Sequence, residues 1–246
     1  MSIVIYSALY GDSEPLNLDV FGGFTSVRRV FFTDRADLRL PGAEVIIDTE
    51  GGLDTTRASR RAKLRPHRYF PDEEWSIWID NKSSLLRDPL AIVEDLRPRT
   101  DVSFFAYPHF IRDCVYQEAR AVLENGLEDH RIVADRLRQY RAEGMPEHAG
   151  LIEGHFIVRR HHDPAVSQFG DLWFEELCRH SRRDQLSFPY LVWKTALPFA
   201  YLDPSSWAET VRFDALGRAS RSAPFPRRDR LRQLVRGYWH RLKPTR

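Results

Sequence analysis

The stretch Trp75-Ser76-Ile77-Trp78-Ile79-Asp80-Asn81-Lys82 constrains the fold more than any other part of the chain. Five strand-forming residues run straight into an acid, an amide and a base. The run is apolar on both of its faces, so it reads as a strand covered on both sides by other elements. Such strands belong to sheets flanked by helices, and in open sheets of that kind ligands bind beyond the carboxyl ends of the strands. Asp80 is therefore the first candidate for a functional carboxylate. Asp and Asn are also ordinary strand-ending turn residues, and that reading stands beside the functional one.

The segments around it follow the same plan. Residues 2–9, 27–32 and 43–47 read as strands, and each finishes near an acid: Asp12, Asp34 and Asp48. Gly51-Gly52 precedes a basic helical stretch over 54–65 that carries Arg57, Arg60, Arg61 and Lys63, with Asp54 or Thr55 as its cap. Asp88-Pro89 opens a helix to about Leu96, and 101–106 reads as a further strand. Helices are expected over 113–123 and 129–143, ended by Gly126 and Gly144. A strand over 154–160, helices over 164–180 and 184–195, and a last strand over 197–202 complete the pattern. Strands alternating with helices imply an α/β fold with a mixed, mainly parallel sheet flanked by helices. Neither GxGxxG nor GxxxxGK[ST] occurs, which counts against dinucleotide and P-loop folds.

A chain of 246 residues allows one large domain or slightly more. The expected division is a domain over 1–205 and a linker with a basic helix over 206–246. Two cysteines, Cys114 and Cys178, stand without metal-ligand spacing, and residues 1–6 begin a strand without a basic leader. A cytoplasmic setting is the expectation. From Arg218 onward ten Arg or Lys face one acid, so this tail's +9 leaves −7 on the rest of a chain whose total is +2. Leu231, Leu234, Val235, Tyr238, Trp239 and Leu242 form one helical stripe against a basic face, suited to an anionic membrane surface. Packing on the acidic body is the other reading.

A nucleotide diphosphate is held by a divalent metal bridged to a carboxylate, or by Lys and Arg directly. Asp80 suits the metal, and Lys82, Arg57, Lys63 and His67 suit the phosphates. A solvated charged face is the plain alternative for the basic helix. Ile5-Tyr-Ser-Ala-Leu-Tyr-Gly-Asp12, Phe32-Thr-Asp34, Lys63-Leu-Arg-Pro-His67, Ser76-Ile-Trp-Ile-Asp80 and Arg183-Asp-Gln-Leu-Ser-Phe188 lie in this order. Together they resemble the blocks of a glycosyltransferase-like family that includes plant mucilage-biosynthesis proteins and bacterial polysaccharide-cluster proteins. The resemblance runs from about residue 3 to residue 195.

It implies a GT-A-like, Rossmann-related sheet that binds a nucleotide-sugar, UDP- or GDP-linked, and passes the sugar to a polysaccharide or lipid-linked glycan. In that fold a DxD motif ends a central strand and binds a metal on the diphosphate. Asp80 matches the first acid, and Lys82 stands in place of the second, so Mn2+ or Mg2+ is left open. The resemblance further assigns Tyr6, Ser7 and Asp34 to base and ribose, and Arg57 and Lys63 to the diphosphate. His109, Arg112 and Glu118 go to the acceptor or sugar side, although a capped helix start explains them equally. Asp184, with Gln185 beside it, is the candidate base, although an acid there also caps a helix. His161 is a weak candidate metal ligand, because adjacent strand residues His161 and His162 point opposite ways. Two rival readings are a metal-dependent hydrolase using Asp80, Asp184 and His161, and a non-catalytic module whose basic tail holds nucleic acid.

Overall fold

The computed structural model describes residues 1–214 apart from Ser13 and Glu50, so the expected tail helix lies outside the described residues. Seven strands form one sheet in the order β3-β2-β1-β4-β7-β6-β8. They are β1 (Ile3–Leu9), β2 (Arg28–Thr33), β3 (Glu44–Ile47), β4 (Trp75–Ile79), β6 (Phe104–Pro108), β7 (Ile152–Arg159) and β8 (Ala200–Tyr201). All run in one direction except β7, which pairs antiparallel with β4 and β6. The sheet is therefore mixed and mainly parallel, in a GT-A-like arrangement.

Strand residues alternate between two cores, as the period of a pleated strand requires. Val4, Tyr6 and Ala8 of β1 face one core with Trp78, Phe104 and Ile157, whereas Ile3, Ile5 and Leu9 face the other with Trp75, Ile77 and Val158. The first core is covered by α1 (Thr55–Leu64), α3 (Val115–Glu124), α4 (His130–Ala142), α5 (Pro164–Arg179) and α6 (Asp184–Thr195). The second is covered by α2 (Pro89–Leu96) and by the segment from Leu16 to Leu40.

Helix α1 carries much of the site, and its placement is built locally. Asp54 caps it by accepting from the backbone N–H of Thr56 and Arg57, both at 3.1 Å. Ala58, Ala62 and Leu64 turn towards the sheet. Helix α5 crosses close against the end of α1 because position 170 is glycine: a Cβ there would stand 2.4 Å from the Leu64 carbonyl oxygen.

Three features differ from the sequence expectation. The strand expected over 101–106 begins at Phe104, because the Arg160 guanidinium gathers the carbonyls of Arg97, Arg99 and Val102 at 2.8–2.9 Å and holds that segment as a turn. The last strand shrinks to Ala200–Tyr201, since the helix before it runs to Thr195 and ends with Ala196 in the left-handed conformation, φ 52°. A second, two-stranded sheet pairs β5 (Ser83–Leu85) with β9 (Val211–Phe213), which follows the short helix α7 (Trp207–Thr210). The packed body thus continues to Asp214, whose backbone N–H bonds the Lys82 carbonyl at 2.8 Å, and does not stop at 205.

Candidate active-site cleft

The end of β4 opens into a cleft of about 570 Å3. The sheet's antiparallel member decides who meets Asp80 there. The β4–β7 register pairs Ile79 with Phe156 and continues one step, the Asp80 N–H donating to the His155 carbonyl at 2.9 Å. His155 and Glu153 therefore arrive beside Asp80 from a strand that runs the other way. The Asp80 carboxylate accepts from the Trp78 indole N–H at 2.8 Å. It lies 3.6 Å from His155 Nε2 and 4.0 Å from Lys63 Nζ. Burial alone would raise its pKa, but Lys63, His155 and Arg60 outweigh burial and hold it below the usual carboxylate value.

A second acid lies below the cleft floor. Lys63 Nζ donates to Asp184 Oδ2 at 2.6 Å, and Arg60 Nε approaches the same oxygen at 3.2 Å. Lys63 and Arg60 stand three apart on α1, so one helix face delivers both. Lys63 has room because position 154 is glycine, where a Cβ would press on Nζ at 3.2 Å. Burial opposes ionisation of Asp184, yet Lys63, Arg60 and Arg183 keep its pKa well below normal.

His155 is the cleft's titratable group. Its Nδ1 pairs with Glu153 at 2.5 Å. Burial would lower its pKa, and the bond to Glu153 and the charge of Asp80 reverse that and raise it. The ring packs edge-on against Phe213, centroids 5.5 Å apart, and Phe213 also lines the cleft.

The candidates from sequence divide sharply. Asp80, Lys82, His109, Arg112, Glu118 and Gln185 line the cleft, with Lys63 and Asp184 beneath it. Lys82 pairs with Glu14 at 2.9 Å at the mouth. Arg112 bonds Glu118 at 2.7 Å, and His109 Nδ1 accepts from the Arg112 backbone at 3.0 Å, so this trio forms one unit. Gln185 donates its amide to the Ile152 carbonyl at 3.2 Å.

Tyr6, Ser7, Arg57, His67 and His161 stand away from the cleft lining, whereas Asp34 holds the loop that follows β1 beside the lining residue Tyr10. Tyr6 and Ser7 are mid-strand and wholly buried, the Tyr6 hydroxyl bonding the Lys63 carbonyl and Arg159. Arg57 is committed to Asp54 and to the carbonyls of Leu177 and His180, stapling α1 to the end of α5. His67 faces Asp171 at 3.4 Å, beyond the far end of α1. Asp34 accepts from the Gly11 N–H at 2.9 Å and shapes the loop after β1. His161 is fully buried past the end of β7, at the opposite end of β4 from Asp80, where it bonds the Phe70 carbonyl at 3.0 Å. Burial pushes its pKa down to about 4. Sequence reasoning missed Arg60, Glu153, His155, Arg183 and Phe213 as cleft residues. Two of them carried a local signal, Arg60 on the basic helical stretch and Arg183 in the stretch that singled out Asp184.

The described side chains do not by themselves assemble a metal site. Asp80 is already engaged by an indole N–H and faced by two nitrogen bases, and Lys82 replaces a second acid. Among the described residues no group of three His, Cys, Asp or Glu side chains is placed to hold a metal. The ligand set needed for a metal-dependent hydrolase built on Asp80, Asp184 and His161 is not assembled.

A family model described as TOD1/MUCI70, glycosyltransferase-like domain, matches residues 45–202. The chain belongs to this TOD1/MUCI70 family. Among its relatives is the probable hexosyltransferase MUCI70 of Arabidopsis thaliana, 34% identical over 143 residues, covering 55% of this chain and 24% of that protein. The alkaline ceramidase TOD1 of the same plant is 27% identical over 136 residues, covering 51% and 29% respectively. The match thus spans less than a third of either relative. In structure the chain is similar to the WbbM bifunctional glycosyltransferase, with a TM-score of 0.50 and 8% identity, over 97% of this chain and 44% of that one. That likeness concerns the fold. The family match ends at 202, so β9 and Phe213, which close one side of the cleft, lie outside it.

Proposed function

We propose that this TOD1/MUCI70 chain is a glycosyltransferase that moves a hexose from a nucleotide-sugar to a hydroxyl of a polysaccharide or lipid-linked glycan. The observation that carries the reading is an ionised Asp80 at the carboxyl end of β4, in a cleft that Arg60, Lys82 and His155 also line. In the transfer, the bond from the sugar's anomeric carbon to the diphosphate oxygen breaks, and the nucleoside diphosphate leaves with the electron pair. The acceptor oxygen forms the new bond to that carbon, and its proton passes to the departing diphosphate oxygen. The need at the leaving group is positive charge, which preorganised cations supply. Arg60, Lys82 and His155, whose pKa Glu153 and Asp80 raise, are the groups positioned to provide it. Asp80 orients His155 and receives sugar or ribose hydroxyls.

Asp184 serves this site as an anchor. A carboxylate locked by Lys63 and Arg60, with its basicity lowered, is a weak proton acceptor. Gln185, with its amide N–H used by Ile152, offers its carbonyl oxygen to a sugar hydroxyl. His109, Arg112 and Glu118 border the acceptor side. The reading is supported by family membership and by the place of the cleft in the sheet.

The test is thermal shift and glycosyl-transfer assay with UDP- and GDP-hexoses, with and without a chelator. Stabilisation that survives chelation, and its loss with turnover in Asp80→Asn, is the expected result. If no nucleotide-sugar stabilises the protein, the transferase reading falls.

A further inference from the structure

The cleft is lined by four Arg or Lys side chains, and three of them have carboxylate partners. Arg60 pairs with Asp184, Lys82 with Glu14 and Arg112 with Glu118. The fourth, Arg183, has none. Its side chain makes no hydrogen bond or ion pair among the described residues, and its Nε is buried without a partner. Burial pulls its pKa below the ordinary guanidinium value, with Asp184 opposing and Arg60 adding to the fall. Asp184, Glu118 and Glu128 favour its charge, but none of them lies within ion-pair distance of it among the described residues. Its backbone is fully engaged, the N–H bonding Ser181 Oγ at 3.1 Å and the carbonyl accepting from Leu186 N–H at 3.0 Å, so the residue is fixed at the start of α6.

Arg183 lines the same cleft as Glu118 and Arg112, and the Glu118 charge acts on it.

We propose that Arg183 is a specificity-determining anion anchor, which takes a carboxylate or phosphate oxygen of the substrate as its missing counter-charge. This rests on the transferase reading only for the identity of the substrate. Guanidinium presents a planar fork to such oxygens, and the bidentate pair gives geometry as well as energy. Two sources share that chemistry: a carboxylate on the sugar or acceptor, and a phosphate of the donor diphosphate or a lipid-linked acceptor.

The test compares wild type, Arg183→Gln and Arg183→Lys as full chains. Calorimetric titration uses pyrophosphate, glucuronate, a nucleoside diphosphate, a neutral nucleotide-hexose and a nucleotide-hexuronate. Arg183→Gln should bind at least one of these anions about tenfold or more weakly, with Arg183→Lys in between. A loss confined to glucuronate and the nucleotide-hexuronate identifies a carboxylate; a loss shared by pyrophosphate and every diphosphate identifies phosphate. Without ligand, Arg183→Gln should melt close to the wild-type temperature, because it breaks no hydrogen bond or ion pair among the described residues. A merely structural arginine would lower it. Equal affinity of wild type and Arg183→Gln for every probe, or a lower ligand-free melting point with unchanged binding, overturns the proposal. If nucleotide-sugars bind normally in that case, the transferase reading stands alone. If anion binding depends on Arg183 while no nucleotide-sugar binds, the anchor stands and the transferase reading fails.

Discussion

Replacing Lys63 with methionine tests the charge network on which the cleft rests. The side chain is 2% exposed, and its amine lies 2.6 Å from Asp184 and 4.0 Å from Asp80. Methionine keeps an unbranched stem of similar length, so the packing against Trp78 and Gly154 survives and the charge alone is lost. Breaking a buried pair by removing one partner costs about 3–5 kcal/mol, because the other charge stays buried. Arg60 still reaches the same Asp184 oxygen at 3.2 Å, which places the expected loss near the lower end, about 3 kcal/mol. In a body of this size that corresponds to a fall in melting temperature of roughly 6–12 °C. Urea denaturation of Lys63→Met, Asp184→Asn and the double variant measures it. The double variant should cost clearly less than the two singles together, since both remove the same interaction. The pH dependence has a definite sign. Asp184 has a depressed folded pKa, so the pair's stabilisation is present above the unfolded value of about 4 and disappears as pH falls towards the folded one. The deficit of Lys63→Met should therefore shrink below about pH 4. A Lys63→Met protein within about 1 kcal/mol of wild type at pH 7, or additive single variants, would refute the network.

Three further outcomes follow from the same geometry. Glu153→Gln removes the leading cause of the raised His155 pKa, so the His155 midpoint followed by NMR should fall. The stabilisation it gives is present below the unfolded value of about 6.5 and is lost as pH rises through the folded value, so the variant should lose stability at mildly acidic pH; an unmoved midpoint rejects the Glu153–His155 pairing. Phe213→Ala removes a half-exposed ring that packs on His155 and lines the cleft. Its KM for the nucleotide-sugar should rise about threefold to tenfold with the melting temperature unchanged, and a lowered melting temperature would mean that β9 has merely come loose. The sequence stripe over 227–242 is basic and amphipathic, so the full chain should co-sediment with anionic vesicles and chains ending at 214 should not; indifference to vesicle charge rejects membrane recruitment.

The sheet was legible because its strands are apolar on both faces and bounded by turn residues. Helix α1 was legible from Asp54 and the glycines before it. The pairing of β5 with β9 was not, because three-residue strands carry no period and their partners stand more than a hundred residues apart. The site divides on direction. Asp80 and Lys82 were readable because they follow the end of a forward strand. Glu153 and His155 were hidden because β7 runs backwards, so its first residues, not its last, reach the cleft. The same reversal carries His161 to the wrong end. Tyr6 and Ser7 were misplaced for a simpler reason: the cleft begins at Ala8, and both side chains before it are fully buried.

The charges also explain why so polar a floor is tolerated. Buried ion pairs contribute little net stability, since desolvation offsets attraction, but they fix positions closely when every partner is satisfied. Here one lysine ties the end of β4 to the start of α6, two elements that are remote in sequence. Asp80, Lys63 and Asp184 thereby become a single rigid unit, with Arg60 supporting it from the next turn of α1. Asp80 then cannot rotate freely to suit a ligand, and the ligand must suit Asp80. The two cations differ in kind: Lys82 is half-exposed with a partner, and Arg183 has a buried Nε and no ion-pair partner among the described residues. A substrate that brings negative charge gains most where the protein has left its own charge unmatched. The discriminating contact is therefore expected at Arg183, and the positioning contact at Asp80.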